Sequence, residues 1–248
     1  MADELIKRFE DLRERCERTC SVTNSLFLSP AEQYALSSWA ARAADCSVTL
    51  RGGVEGTERN AAFFLPFYVE AEDFDESEFI RCVKISAGFG QPGHRDYMGA
   101  ILGLGIKREW LGDIMVDGGE AHVFCLNTVA DHLLASLDKV GRYGVKTKEI
   151  PLSAAPKPKI EVKEVSFSVM SLRLDAVAAG MFNLSRTSAA GLISAGEVSL
   201  NYSECLRPDA QIKVGDIISV RGHGKATLSD LGGQSRKGRT FVKAEVRK

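Results

Sequence analysis

The sequence predicts an α+β fold with more than one domain, and three observations support this class. Apolar residues recur at helical spacing near the amino terminus, whereas from about residue 46 onward they form strand-like runs. The later strand and helix patterns follow an order that is typical of helices packed on one face of an antiparallel sheet. A chain of 248 residues also exceeds the usual size of a single domain, so two or three domains are expected.

The first domain is predicted to span residues 1–60 and to be mainly helical. Apolar residues at helical spacing in a charge-rich stretch predict an amphipathic helix over residues 3–20. A second helix is indicated by Ser29, Pro30 and Glu32, which supply an N-cap, a first-turn proline and a capping-box acid.

The second domain is predicted to span residues 61–150 and to be ferredoxin-like or RRM-like in outline. Two strand-like runs come first, and Pro66 moves the earlier one towards a sheet edge because proline cannot donate to the ladder. A helical stretch follows, and then "DIMVDGGEAHVFC" alternates around a glycine turn as a hairpin does. Asn127 can cap a further helix that ends at Gly141. The order strand, strand, helix, hairpin, helix, strand gives the predicted outline.

A proline-rich stretch predicts a stiff linker over residues 151–160. The third domain, residues 161–248, contains the sequence "SLRLDAVAAGMFNLSRTSAAGLISAGEVSLNY", which reads as two short helices followed by a strand. Further on, "GKATLSD" and "TFVKAEV" look like the arms of a hairpin around a basic loop.

The net charge of −1 hides an uneven distribution of charge along the chain. Residues 161–248 hold 13 Lys and Arg against 9 Asp and Glu, a net charge of +4. Residues 1–160 hold 19 against 24, a net charge of −5. The carboxy-terminal third is therefore the basic part, which is compatible with an anionic partner and also with an ordinary solvated surface.

Composition favours a cytoplasmic protein without a cofactor, a metal or a membrane partner. The longest nearly unbroken apolar run is too short to cross a bilayer as a helix, and the amino terminus carries charges where a signal peptide is apolar. The six cysteines form no CxxC pair, and no histidine lies at ligand spacing from them. Neither a disulfide framework nor a zinc site is indicated, so buried free thiols are expected.

Two short motifs suggest enzyme chemistry, but neither has the context that the chemistry needs. Residues 88–93, "GFGQPG", match GxGxxG, yet the chain then enters a tight hairpin instead of the parallel strand of a dinucleotide site. The stretch "HRDYMG" resembles a kinase catalytic loop, but neither DFG nor a strand lysine with a Gly-rich loop accompanies it. Asp96 is therefore predicted to be an acid at a helix amino terminus, and no enzyme is predicted.

Two arginines occupy places that the helix dipole disfavours. Arg173 lies at the start of the first short helix, and Arg186 follows Ser185, the predicted N-cap of the second. Helix starts also expose backbone N–H groups, so a phosphate docked there would be bound by amides and guanidinium groups together. On the residues alone, a phosphate clamp and a solvated arginine beside an ordinary cap remain alternatives.

The same region, followed by "IKVGDIISVRG", resembles the S4-type RNA-binding domain over roughly residues 168–225. The matching positions are Arg173, Leu174, Asp175, Ser185, Arg186, Gly196, Val198, Asn201, Gly215 and Asp216. In that family the two helices and the start of the strand contact RNA. By resemblance, the RNA-binding residues are Arg173, Ser185, Arg186, Thr187 and Asn201. The residues expected to shape turns are Gly196, Gly215 and Asp216.

The central stretch "HRDYMGAILGLGIKREWLGDIMV" is similar to the hallmark of the YlmH family, whose members have a helical and RRM-like half before an S4-type domain. With the domain order, this resemblance covers nearly the whole chain. It implies binding to ribosomal RNA and peptidyl-tRNA on the large ribosomal subunit, in quality control of stalled translation. Lys107 and Arg108 match the hallmark and are either RNA contacts or cations at a helix carboxy terminus.

Three basic residues of the last loop, Arg236, Lys237 and Arg239, are also predicted to contact RNA. Nearby glycines leave this loop mobile, so it can become ordered when its cations bind phosphate. Non-enzymatic RNA binding on the ribosome, by a monomer, is the preferred prediction. As one alternative, "HRDYMG" loosely resembles the HRLD segment of pseudouridine synthases, which would make the protein an RNA-modifying enzyme with Asp96 as nucleophile. As another, the acidic amino-terminal half could be a protein-interaction adaptor.

Overall fold

The computed structural model describes residues 2–43, 47–158, 162–235 and 237–247. The chain forms two compact units, Met1–Pro158 and Lys159–Lys248, and each unit has its own hydrophobic core. Below, these are the amino-terminal unit and the carboxy-terminal unit. Both combine helices with antiparallel sheets, so the α+β class is confirmed.

The amino-terminal unit begins with two helices and a three-stranded antiparallel sheet. Trp39 packs between Phe9 and Phe64, at ring-centroid distances of 5.9 and 6.1 Å. The predicted capping box is confirmed, because the Glu32 carboxylate accepts from the Ser29 N–H at 2.7 Å. The strand order is β1-β3-β2. The elements are α1 (Ala2–Thr19), β1 (Thr23–Leu28), α2 (Pro30–Ala40), β2 (Val48–Arg51) and β3 (Asn60–Phe64).

Within the segment predicted to be mainly helical, β1 lies between the two helices, where no strand was expected. Two buried polar residues, Thr23 and Ser25, conceal the alternation of apolar and polar residues that marks a strand. Thr23 Oγ1 donates to the Leu12 carbonyl at 2.8 Å, and Ser25 Oγ accepts from the Ala62 N–H at 2.9 Å. Because both hydroxyl groups are hydrogen-bonded, their burial costs little free energy.

The rest of the amino-terminal unit is a five-stranded antiparallel sheet with two helices. Its strand order is β5-β6-β4-β8-β7. Apart from the short β7, this order and the β-α-β-β-α-β connectivity match a ferredoxin-like fold. The elements are β4 (Ile80–Ala87), α3 (His94–Gly103), β5 (Leu111–Asp117), β6 (Glu120–Leu126), α4 (Asn127–Ser136), β7 (Lys139–Val140) and β8 (Tyr143–Ile150).

The helix that was expected to reach Gly141 is shorter, and a small hairpin replaces its last turn. α4 ends at Ser136, and Val140 pairs with Tyr143 across a turn at Gly141. Gly141 has a φ of +58°, which suits a hairpin turn as well as a helix end. Val140 is buried, as it would be on the apolar face of a longer helix, so its spacing could not distinguish the two structures.

Part of the predicted linker over residues 151–160 belongs to the amino-terminal unit. Leu152 and Ala155 pack against the core cluster around Phe124, and the chain makes a short turn of 3-10 helix there. The last predicted linker residues, from 159 onward, lie outside the described residues. The sheet therefore ends before the first of these prolines, whereas residues that follow it still pack in the hydrophobic core.

The carboxy-terminal unit packs two short helices on a six-stranded antiparallel sheet. The strand order is β11-β10-β12-β13-β14-β9, so β9 is an edge strand. The two helices and the strand predicted within residues 171–202 are confirmed, and so are the hairpin arms β13 and β14. The elements are β9 (Val162–Val169), α5 (Leu174–Phe182), α6 (Arg186–Ser194), β10 (Val198–Leu200), β11 (Ser203–Glu204), β12 (Ile217–Val220), β13 (Gly224–Gln234) and β14 (Thr240–Arg247).

Two helix glycines of this unit are expected to respond oppositely to alanine. At Gly180 a Cβ would lie 2.2 Å from the Phe167 ring, so Gly180→Ala should lower the free energy of unfolding by about 1–3 kcal/mol. At Gly191 a Cβ would meet nothing within 4 Å, so Gly191→Ala should raise it by about 1 kcal/mol through helix propensity. Urea unfolding measures both changes. A stabilising Gly180→Ala would contradict the tight contact with Phe167.

Candidate nucleic-acid interface

The two helix-start arginines of the carboxy-terminal unit converge on one carboxylate. Arg173 is the N-cap residue of α5, Arg186 is the first residue of α6, and both bond to Asp175 in the first turn of α5. Arg173 donates from Nε and Nη2 at 3.2 and 3.1 Å. Arg186 donates from the same two atoms at 3.2 and 3.1 Å. Residues eleven positions apart in sequence are therefore one ion-pair cluster.

Asp175 positions both guanidinium groups without neutralising them. Asp175 is only 5% exposed, whereas the side chains of Arg173 and Arg186 are 37% and 56% exposed. Burial raises the pKa of Asp175, but the bonds from the two arginines outweigh burial, so its pKa lies below the usual value. These three bonded side chains have one negative and two positive charges, so together they carry a net positive charge. The arginines are paired, yet they stay at the surface.

The start of α5 does not offer the exposed amides that the sequence suggested there. The Leu174 N–H donates to the Ala210 carbonyl at 2.8 Å, and the Asp175 N–H donates to the Pro208 carbonyl at 3.0 Å. The expectation of an amide site for phosphate at Arg173 was therefore wrong. A loop that lies more than thirty residues later in the chain occupies these donors, which local sequence could not reveal.

The start of α6 has a different environment. Ser185 Oγ accepts from the Ser188 N–H at 3.0 Å, which confirms Ser185 as the N-cap. The N–H groups of Arg186 and Thr187 precede the first intrahelical bond, which Ala189 donates to the Ser185 carbonyl. Thr187 is exposed. An anion at this helix start can therefore be bound by backbone amides next to the Arg186 guanidinium.

Asn201 bonds to the turn that contains Asp216. Its Nδ2 donates to Asp216 Oδ1 at 2.9 Å, and its Oδ1 accepts from the Ile217 N–H at 2.9 Å. The other oxygen of the buried Asp216 accepts from the Lys213 N–H at 2.9 Å. Both ends of the Asn201 amide make a bond within this turn, and RNA contact by Asn201 stays a prediction. The prediction that Asp216 shapes a turn is confirmed.

The basic loop between β13 and β14 is anchored at its base. The Arg239 N–H donates to Ser235 Oγ at 3.1 Å, and its Nε donates to Ser168 Oγ of β9 at 3.1 Å. Lys237 is exposed in the turn, and Arg236 lies outside the described residues. Arg239 is therefore attached to the edge strand of the sheet, although the sequence placed it in a mobile loop.

Arg186 and Arg239 line the same groove of the carboxy-terminal unit. The groove has a volume of about 890 Å³ and lies along β9, beside the end of α5. Lys163 and His223 line it too, and among the described lining residues none is acidic. A groove whose described lining includes cations and no acidic residue suits phosphate groups. Its larger apolar side chains are Phe167, Met170, Met181 and Phe182.

Of the two basic residues in the central hallmark, Arg108 is structural. Its Nη1 donates to the carbonyls of Leu111 and Gly112 at 2.6 and 3.0 Å. Burial lowers the pKa of Arg108, and the nearby Arg59 lowers it further. The alternative of a cation at the end of an α-helix is wrong for Arg108, since it begins a short 3-10 turn. RNA contact by Arg108 stays a prediction. Lys107 is exposed.

Asp96 caps helix α3, as the sequence predicted. Its carboxylate accepts from the N–H of the N-cap residue Gly93 at 2.8 Å.

Burial raises the pKa of both Cys82 and Cys125 to about 12, so these thiols are protonated at neutral pH. The described ranges contain no cluster of three His, Cys, Asp or Glu residues that could bind a metal. No described helix has the length and apolar character needed to span a bilayer.

Comparisons with known proteins point to a single group. A family model described as "Putative RNA-binding domain in YlmH" matches residues 70–154. "Ribosome-associated protein quality control protein P2" of Bacillus subtilis (strain 168) is 32% identical over 222 residues, which cover 90% of this chain and 86% of the relative. The solved structure of "Cell division protein ylmH from Streptococcus pneumoniae" has a TM-score of 0.50 at 23% identity, and the match covers 63% of this chain and 90% of that one. At that identity, the likeness concerns the fold alone.

Proposed function

The chain belongs to the YlmH family, and we propose that it is a non-enzymatic RNA-binding protein of the large ribosomal subunit. It binds ribosomal RNA and peptidyl-tRNA there, in the cytoplasm, and takes part in quality control of stalled translation. The matched RNA-binding family model supports the RNA ligand. The name of the Bacillus subtilis relative supports the ribosomal and quality-control parts of the proposal.

In this proposal, residues 161–248 are an S4-type RNA-binding domain that acts as a monomer. The motif residues from Arg173 to Asp216 support the assignment. So does the sequence of elements, in which α5, α6 and β10 follow one another and pack on an antiparallel sheet. The net charge of +4 in this third of the chain suits a polyanionic ligand.

The observation that carries the proposal is the groove that Arg186 and Arg239 line, because the described lining residues include no acidic side chain. One RNA phosphate binds at the start of α6, between the Arg186 guanidinium and the N–H groups of Arg186 and Thr187. Further phosphates follow the groove past Lys163 and Arg239. Such contacts read backbone position and helix shape instead of base identity, which suits folded ribosomal RNA.

Asp175 is a positioning residue in this scheme. It holds the guanidinium groups of Arg173 and Arg186 in fixed orientations before RNA arrives. Ordering a long side chain costs conformational entropy, so an arginine that is already ordered loses less free energy on binding. Because Asp175 is buried, RNA phosphates meet the exposed arginines and not the carboxylate.

The non-enzymatic part of the proposal is supported by the residues that enzyme chemistry would have used. Asp96, the nucleophile of the pseudouridine synthase alternative, is bonded to the backbone at the start of α3. Mapping pseudouridine in ribosomal RNA and tRNA after incubation with the protein tests this directly. If the wild type forms pseudouridine and Asp96→Ala does not, the protein is an RNA-modifying enzyme and the non-enzymatic proposal fails.

Sedimentation of a cell lysate through sucrose gradients tests the ribosomal part. At low salt the protein is expected to migrate with large ribosomal subunits, and at high salt it should remain at the top of the gradient. The reason is that phosphate contacts displace counterions, which makes affinity fall steeply with salt. Migration with small subunits, or absence from all ribosomal fractions at low salt, would contradict the proposal.

A further inference from the structure

An aromatic pair with one exposed ring lies at one end of the five-stranded sheet in the amino-terminal unit. Phe89, in the loop after β4, is 70% exposed, and it contacts Tyr143 at the start of β8. The two ring centroids are 5.6 Å apart, and the interplanar angle is 79°. This pair has no part in the function proposed for the groove of the carboxy-terminal unit.

The loop that carries Phe89 is fixed by its neighbours. Gly90 has a φ of +80°, and a Cβ there would lie 2.3 Å from Cε1 of Tyr143, so the loop backbone rests directly on that ring. At the base of the loop, the Ala87 N–H donates to the Gly119 carbonyl at 2.8 Å. Exposure of Phe89 is therefore built into the backbone. A ring on a fixed loop also loses little entropy when a ligand binds.

The sheet face that RNA-recognition domains of this topology use is covered in this unit. In such domains, aromatic residues on the central strands of the sheet stack the bases of single-stranded RNA. Here the corresponding strands are β4 and β6, and their residues Cys82 and Phe124 are fully buried in a cluster with Phe27 and Phe63. The bases of an RNA bound to this unit must therefore stack on a surface other than this sheet face. Phe89 is an exposed ring just beyond β4.

Positive charge accompanies the aromatic pair. Residues 88–95 and 139–148, which supply the two rings, contain five Lys and Arg, one His, and no Asp or Glu. Arg142 Cζ lies 5.2 Å from the centroid of the Tyr143 ring, and its Nη2 donates to Tyr143 Oη at 3.1 Å. An exposed ring beside cations meets the two requirements of single-stranded nucleic acid, which are stacking for the base and charge for the phosphate.

We propose that Phe89 and Arg142 form a binding site for single-stranded RNA, with one base stacked on Phe89 and an adjacent phosphate paired with Arg142. The site lies in the amino-terminal unit, whereas the groove lies in the carboxy-terminal unit. It rests on the proposed function in one respect, which is that the ligand is RNA. A protein partner matches the surface less well. Among the described residues of the two segments, Phe89 is the one large apolar side chain that is mainly exposed, whereas protein-binding surfaces present a contiguous apolar patch.

The amino-terminal unit also contains a matched control. Phe67 is 88% exposed, and its ring lies 5.5 Å from that of Tyr68 at an angle of 90°. Residues 69–78, directly after this pair, hold six acidic residues and no Lys or Arg. Phosphates would be repelled there. The two aromatic pairs therefore have similar ring geometry and differ in the sign of the net charge on the counted neighbouring segments.

The test is the affinity of the full chain for a fluorescein-labelled single-stranded oligouridylate, measured by fluorescence anisotropy at low salt. Phe89→Ala is expected to weaken binding about tenfold, since it removes one stacked base. Phe89→Trp should preserve the affinity, because it keeps an aromatic ring. Arg142→Ala should weaken binding and reduce its dependence on salt. Phe67→Ala is expected to leave the affinity unchanged, and thermal melting confirms that each variant folds.

Three results would overturn the site. In the first, Phe89→Ala binds the oligouridylate like the wild type. In the second, Phe67→Ala loses as much affinity as Phe89→Ala, so that charge has no influence. In the third, Phe89→Ala keeps its RNA affinity and loses a co-purifying protein. The proposed function stands in each case if Arg186→Ala still weakens binding to large subunits, and it fails separately if that variant binds normally.

Discussion

Replacing Asp175 by asparagine is expected to lower the free energy of unfolding by about 2 kcal/mol, because hydrogen bonds to charged groups contribute about 1.5–3 kcal/mol. The carboxylate is buried and accepts bonds from both Arg173 and Arg186, and asparagine keeps its shape but not its charge. Urea unfolding measures the change. Asp230→Asn is the control, since Asp230 forms an exposed ion pair with Lys243 and its loss should change stability by less than about 1 kcal/mol.

The same substitution is expected to change how stability depends on pH. The pKa of Asp175 in the folded protein lies below its ordinary value. Its contribution is therefore complete above the unfolded pKa of about 3.9, and it is lost as the pH falls through the lower folded pKa. The difference in unfolding free energy between the wild type and Asp175→Asn should shrink in this acid range. A difference that stays constant on acidification would show that Asp175 does not act through its charge.

Removing the Arg186 side chain is expected to weaken binding to isolated large ribosomal subunits about tenfold, since one charged hydrogen-bonded contact is lost. The slope of log affinity against log salt should fall by about one, as expected for one phosphate contact. Arg186→Ala is a better test than a charge reversal, because a glutamate there would lie against the buried Asp175. Co-sedimentation with purified subunits over a range of salt concentrations gives both quantities.

Two further variants make this test specific. Arg186→Pro removes the backbone N–H as well as the side chain, and proline fits the first position of a helix after the extended Ser185. It should therefore bind more weakly than Arg186→Ala. Arg207→Ala removes an exposed arginine that is not among the described residues of the groove, and it should bind normally. Equal affinities for all three variants would remove α6 from the RNA interface.

Features that depend on neighbouring residues could be predicted from the sequence. The capping box at Ser29 and Glu32, the cap of α6 at Ser185, and the hairpin between β5 and β6 each involve residues a few positions apart. Strand β1 was missed for the opposite reason. Its buried Thr23 is bonded to a residue of α1, so its inward direction follows from a partner outside the strand.

The site residues divide in the same way. Arg108 looked like a surface cation, but the backbone carbonyls of Leu111 and Gly112 bind it in the folded chain. Asn201 matches a position of the family motif, and in the folded chain its amide donates to Asp216 and stabilises the turn there. A motif shows which residue types are present, whereas hydrogen bonds made on folding decide which of their polar groups stay free.

The sequence by itself determined the α+β class, the family relationship and the residues that carry positive charge in the basic third. Only the tertiary structure decided which of them can meet a phosphate together. Folding brings Arg186 and Arg239 into one groove, joins two arginines on Asp175, and covers the amides of α5 with the loop at Pro208. These outcomes depend on contacts between segments far apart in the chain, and such contacts leave no local pattern of residues.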